Sequence, residues 1–182
     1  MLPEISLNIL DIAQNSISAD ASYIEIKLDT DTKANRLTVT VKDDGKGMSE
    51  SAVKAVTDPF FTTRTTRSVG LGIPFFKQAA ECTGGSFSIT SREGEGTCVK
   101  ALFCTDHIDC MPLGDVNATI HSLITMNETI DFYYEYKVDD ASFYLDTREM
   151  REILGDVPFH TAEVSGFLKE YLEENETEVN KN

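Results

Sequence analysis

Five short stretches of this 182-residue chain carry side chains whose types and spacing could do chemistry. In DIAQN, Asp11 and Asn15 lie four residues apart, so a helix would set a carboxylate and an amide on one face, one turn apart. In DDGKGM, Asp43 and Asp44 precede Gly45-x-Gly47 at the end of an alternating apolar run, Leu37, Val39 and Val41. A strand ending in a tight turn explains that pattern, with glycine for positive φ and aspartate for side-chain turn bonds, and so does a ligand seated on the turn. In DPFFTTRTTRSV, Phe60, Phe61, Thr62, Thr63 and Arg64 bring hydroxyls and a guanidinium into a loop, where function often lies. Gly70-Leu71-Gly72 then opens a helix, whose free N–H groups and dipole favour phosphate. Cys104-x2-His107-x2-Cys110 has the spacing of soft metal ligands, but only three are local. Ordinary reduced thiols are the favoured reading for these cysteines, as for Cys82 and Cys98.

The surrounding pattern supplies elements to position these groups. From Glu4 to Ser18, Ile5, Ile9 and Ile12 recur at helical spacing, while Glu4, Asn8, Asp11 and Asn15 form a polar stripe that should face a cavity or solvent. Tyr23 to Leu28 and Arg36 to Lys42 alternate and predict an antiparallel hairpin; Ser86 to Thr90 and Thr97 to Phe103 predict a second. Ser49 to Val56 reads as a short helix capped by Ser49, and Gly70 to Cys82 as a longer one. Beyond Cys104 the pattern restarts with a helix over Asp115 to Met126 and strands at Phe132 to Val138 and Ala141 to Leu145. A helix after Asp146-x-x-Glu149 follows, then an amphipathic helix from Thr161 to about Glu173 with Val164, Phe167, Leu168 and Tyr171 apolar. The expected organisation is one domain over residues 1–104, an acidic α+β domain over residues 105–174 and a disordered tail over residues 175–182.

The net charge of −15 is uneven: residues 1–104 carry 11 Lys and Arg against 13 Asp and Glu, whereas residues 105–182 carry 5 against 18. That acidic third argues against binding nucleic acid or an anionic membrane, because phosphate surfaces need a basic face. No stretch reaches the roughly 20 apolar residues of a membrane span, and MLPEISLNIL has no basic start, so a cytoplasmic protein is expected.

DIAQN, DDGKGM, DPFFTTR and GLGI, with GEGTCV at the last strand, occur in an order that resembles the GHKL superfamily of ATP-binding domains over about Leu2 to Phe103. That superfamily joins histidine kinases, anti-sigma serine kinases, type II topoisomerases, mismatch-repair ATPases and heat-shock chaperones. The resemblance implies an α/β two-layer sandwich of the Bergerat type, a mixed sheet with helices on one face, with ATP and Mg2+ as ligands. It implies that Asp43 accepts the adenine amino group, that Gly45 and Gly47 leave room for the base, and that Asn15 holds magnesium through its amide oxygen. It further implies phosphate contacts from Gly70, Gly72 and Arg64, with Arg67 a further candidate. Thr97 would lie beneath the adenine, and Met48, Phe60, Thr63 and Leu71 would complete the nucleotide contacts.

Where the resemblance departs bears on mechanism. Histidine kinases usually carry Asn at the position of Asp11, and the serine-kinase, topoisomerase and chaperone branches carry Glu as a general base. Asp11 keeps the carboxylate but is shorter, so it is either a base for an attacking hydroxyl or an anchor for magnesium or Asn15. Histidine kinases carry the phosphoacceptor histidine on a helical hairpin ahead of this domain, whereas His107, His121 and His160 follow the ATP-binding segment, so self-phosphorylation on them is not expected. The loop from Asp58 to Gly70 is short for an ATP lid, which leans toward a kinase-like, exchangeable site. The expected function is a regulatory protein that transfers the γ-phosphoryl group of ATP to a Ser, Thr or His of a partner protein. An ATP-sensing interaction module and a slow ATP hydrolase are the alternatives.

Overall fold

Strict alternation makes the first hairpin. In β1 (Tyr23–Asp31), Ile24, Ile26 and Leu28 are buried while Glu25 and Lys27 point the other way; in β2 (Arg36–Asp43), Leu37, Val39 and Val41 are buried. The computed structural model, which describes residues 3–58 and 71–181, places the helix α1 (Ile5–Ser18) before this hairpin. After it come α2 (Glu50–Thr57), α3 (Gly72–Cys82) and the hairpin of β3 (Ser86–Arg92) and β4 (Gly96–Cys104). Then follow α4 (Val116–Met126), β5 (Asp131–Val138), β6 (Ala141–Asp146), α5 (Thr147–Leu154) and α6 (Ala162–Lys181).

Three helix starts are set by residues suited to the N-cap. The side chains of Ser49, Asp115 and Asp146 accept from the backbone N–H of Ala52, Ala118 and Arg148 at 3.3, 2.8 and 2.9 Å. Asp146 therefore caps through Arg148, and Glu149 instead accepts from the Tyr144 hydroxyl at 3.5 Å.

The strands form one mixed sheet of six in the order β3-β4-β2-β1-β5-β6. Every neighbouring pair is antiparallel except β1 with β5, which run parallel with Ile24 opposite Phe132. Helices α1, α3, α4 and α6 cover the face that carries Ile26, Val39, Val99 and Tyr134. Phe76, Phe103, Phe132 and Phe159 are essentially buried there, each worth about 1.5–3 kcal/mol relative to exposure. Among the described residues no helix is long and apolar enough to cross a membrane.

The structure differs from the expected organisation in two places. Residues 105–174 do not make a sheet of their own, because β5 pairs with the edge of β1 left free by the first hairpin and β6 extends it. A pairing between residues about a hundred apart leaves no periodic trace in either segment. The segment 175–181, expected to be disordered, continues α6. Val164, Leu168, Leu172 and Val179 keep one apolar stripe along the helix, and the Tyr136 hydroxyl donates to Asn180 Oδ1 at 3.0 Å.

Candidate functional site

The helices leave a gap over one end of the sheet. At the ends of β2 and β4 the inward residues are short, with Val41 facing Val99 across the ladder, and a cavity of about 210 Å³ lies between them, α1 and α3. Ile12, Met48, Val56 and Ile73 complete its apolar walls, and Asn15, Ser16, Asp43 and Thr97 bring polar atoms to it.

Asp43 is the last residue of β2, opposite Thr97, and is only 7% exposed. Its Oδ1 accepts from the backbone N–H of Gly45 at 2.9 Å and of Thr97 at 3.2 Å, and its Oδ2 accepts from the Ser16 hydroxyl at 2.5 Å. An ionised carboxylate offers about four acceptor sites, so three donors fix its plane and leave one site for a donor in the cavity. Thr97 is held in turn: the Ser91 and Thr97 hydroxyls lie 2.8 Å apart, and Ser91 Oγ accepts from Met48 N–H at 2.8 Å. Asp44 works outside the cavity, accepting from Ser22 N, Ser22 Oγ and Tyr23 N. Burial raises its carboxyl pKa, but these hydrogen bonds outweigh burial and hold it below its ordinary value.

Gly47 lines the cavity, and both glycines also make room within the protein itself. A Cβ on Gly47, where φ is +65°, would fall 1.8 Å from the Arg92 carbonyl oxygen, and one on Gly45 would fall 2.7 Å from that of Ala19. Their missing side chains make room for the protein's own backbone, and so set the turn that carries Met48 to the cavity. Gly72 makes room for Asp11: a Cβ there would fall 2.0 Å from Asp11 Oδ2. The Asp11 carboxylate therefore stands against the start of α3, where the helix dipole favours negative charge, rather than in the cavity wall.

Of the predicted stripe on α1, Asn15 faces the cavity, and its Nδ2 is buried with no hydrogen-bond partner among the described residues. Asn8 departs from the expectation: it is 1% exposed, and its Nδ2 donates to the Glu4 carbonyl at 2.9 Å beside Met111. Leu71 is 55% exposed at the N-cap of α3. Phe60, Thr63, Arg64, Arg67 and Gly70 lie outside the described residues.

Cys104, His107 and Cys110 form successive turns, with His107 N–H donating to the Cys104 carbonyl and Cys110 N–H to that of His107. Among the described residues no three His, Cys, Asp or Glu side chains are grouped to hold a metal. His121 pairs with the Ser165 hydroxyl at 2.9 Å and His160 with Glu128 at 2.8 Å.

Ser16 and Ser91 are the site residues that sequence reasoning missed. The signal for Ser16 was present: Ile5, Ile9 and Ile12 predict an apolar residue at position 16, and a hydroxyl on a buried stripe needs a partner. Ser91 offers no comparable signal.

Residues 1–106 match the family model described as histidine kinase-, DNA gyrase B-, and HSP90-like ATPase. The sensor protein kinase FleS of Pseudomonas aeruginosa is 34% identical over 94 residues, 52% of this chain and 23% of that protein. The chain thus spans less than a quarter of the length of the curated relatives it matches. In fold it is similar to the N-terminal domain of a DNA repair protein, with a TM-score of 0.58 at 15% identity over 80% of this chain and 53% of that one. It is likewise similar to the Aquifex aeolicus MutL ATPase domain complexed with ADP, with a TM-score of 0.52 at 13% identity over 85% of this chain and 70% of that one. A family match over more than half of the chain agrees with the order of its motifs and with its mixed sheet: the chain belongs to the histidine kinase-, DNA gyrase B- and HSP90-like ATPases, with a GHKL ATP-binding domain.

Proposed function

We propose that the cavity takes the adenine of ATP and that the protein transfers the γ-phosphoryl group to a hydroxyl or imidazole of a partner protein. The observation that carries the reading is the fixed Asp43 carboxylate, with three of its acceptor sites filled and the remaining one turned to an apolar cavity. An exocyclic amino group can donate to that site, whereas guanine would present a carbonyl there, so adenine is selected. Asn15 would offer its amide oxygen to a hard cation, and its buried Nδ2, a donor without a partner among the described residues, would be free to meet a phosphate oxygen. Mg2+ there would neutralise phosphate charge.

In this mechanism Asp11 accepts the proton of the attacking hydroxyl. A new P–O bond forms to the partner's hydroxyl oxygen, or a P–N bond to its imidazole nitrogen, as the bond to the β–γ bridging oxygen breaks and ADP leaves. Arg64, Thr63 and the N–H groups of Gly70 and Gly72 would bind the phosphates, with Phe60, Met48, Leu71 and Thr97 around the nucleoside. A second reading, ATP sensing without transfer, is favoured by the contacts at the start of α1. Ile5 N–H donates to the Pro112 carbonyl and Ser6 N–H to that of Leu113, so the acidic half is tied to the helix that carries Asp11. Slow hydrolysis replaces transfer if water takes the place of the partner's oxygen.

The test follows γ-labelled ATP with magnesium, using the pure protein and a cell extract, against Asp43→Asn and Asp11→Asn. Label on a protein that disappears with Asp43→Asn supports the kinase reading. Label that stays on bound ATP turns the reading to sensing, release as free phosphate turns it to hydrolysis, and no ATP binding by the wild type overturns it.

A further inference from the structure

Far from the cavity, at the β6 edge of the sheet, a second concavity of about 420 Å³ lies between α5 and α6. Its walls are apolar and open: Ile153 of α5 is 86% exposed, Phe167 of α6 58% and Tyr144 of β6 48%, with Phe143 and Met150 forming the floor. The rings are organised rather than scattered, with Phe167 against Tyr171 at 6.1 Å and Tyr171 edge-on to Phe143 at 6.3 Å. Phe167 falls on the helical stripe that sequence periodicity assigns to a core, yet the fold leaves it uncovered.

Acidic side chains predominate around this groove. On α6, Glu163, Glu170 and Glu174 lie three, four or seven residues from Phe167 and share its face, and on α5 Glu149 stands one turn before Ile153 with Glu152 beside it. Of the cations on these helices, Arg148 is paired with Asp146 at the groove, Arg151 with Asp131 and Lys169 with Glu173, while Lys181 lies at the far end of α6. Among the described residues Glu152, Glu163, Glu170 and Glu174 have no ion-pair partner, so the rim keeps its negative charge.

We infer that this groove is the docking site for a basic amphipathic helix of a partner protein, one that presents an apolar stripe flanked by Lys and Arg. The apolar walls need an apolar insert, and the acidic rim selects a cationic border and speeds encounter. A helix fits better than an added strand, because Tyr171 leans over β6 and its hydroxyl already donates to the Tyr144 carbonyl at 3.0 Å. The groove shares no residue with the proposed nucleotide site, so the inference stands apart from the kinase reading.

The test uses the whole chain and a fluorescent peptide of roughly five helical turns, built of Leu on one face and Lys on the other. Its controls are a peptide of the same composition scrambled to remove the stripe, and one with Glu in place of Lys. Anisotropy should show the striped Lys peptide binding about tenfold or more tightly than either control, and weakening with salt. The deciding variants are Phe167→Glu and Ile153→Glu, exposed positions whose fold is checked by circular dichroism. Both add negative charge, so simple attraction would hold or strengthen binding, whereas the groove predicts a loss of about tenfold in each. Unchanged binding in both variants, or equal binding of the scrambled peptide, overturns the inference. So does a dimer of the chain that Phe167→Glu dissociates, since the occupant would then be a second copy. ATP titrations of the same variants should be unaltered, which separates this outcome from any failure of the nucleotide reading.

Discussion

The two ends of one sheet have opposite interiors. Where β2 ends and β4 begins, the inward side chains are Val41 and Val99 and the space above them stays open. Where β5 and β6 lie, the inward side chains are Phe132, Tyr134, Tyr136, Phe143 and Leu145, and α4 and α6 close over them. The lesson is one of side-chain volume on a common backbone scaffold: short β-branched residues under a helix leave a cavity, and aromatic residues at equivalent depth fill it. Each end also has a buried aspartate at a strand terminus. Asp43 accepts neutral donors and keeps a free acceptor site, whereas Asp146 is spent on Arg148 and on a helix cap.

The largest expected effect tests that contrast between aspartates. Asp43→Asn should weaken ATP by about 100-fold or more, because the amide turns a donor toward another donor. Asp146→Asn should lower stability and leave the nucleotide constant unchanged. Calorimetric titration and urea unfolding of both variants measure the difference, and equal loss of ATP binding in the two would erase it.

At the filled end, Leu172→Ala should cost about 2–5 kcal/mol in urea unfolding, since Leu172 is fully buried and its truncation leaves a cavity. The folded fraction should still bind ATP with wild-type affinity if the two ends are energetically separate. A smaller change is expected for Ser16→Ala, which deletes one of the three donors that orient Asp43: about tenfold weaker ATP with little change in unfolding. No change in binding would mean that Gly45 and Thr97 suffice to orient the carboxylate.

The smallest effect concerns Glu176, whose carboxyl burial raises above the ordinary 4.5; the Asn117 hydrogen bond opposes this, and the charges of Asp115 and Glu173 add to it. A raised folded-state pKa means that the fold favours the protonated form, so its contribution is fully present below about pH 4.5 and is lost as pH rises through the folded value. Glu176→Gln should raise the urea midpoint slightly at pH 7 and leave it unchanged at pH 4. An unchanged midpoint at both values would remove this acid from the stability of the filled end.

Much of this was legible in the chain because local physics writes locally. Alternation at Ile24, Ile26 and Leu28 gave the strand and its buried face, Ser49 and Asp115 marked helix starts, and the order of Asp11, Asn15, Asp43, Gly72 and Thr97 marked the family. Other features depended on partners distant in sequence. That β5 would join β1, that Gly47 yields space to Arg92 and Gly72 to Asp11, and that Ser16 would meet Asp43 across 27 positions are facts of packing. Most elements, the charge division and the family can be read from the chain alone, because periodicity, caps and motif order are properties of neighbouring residues. Which carboxylate faces a cavity, where the helix to Lys181 finds its support and which apolar residues stay uncovered are settled by packing, because burial depends on what the rest of the chain places alongside.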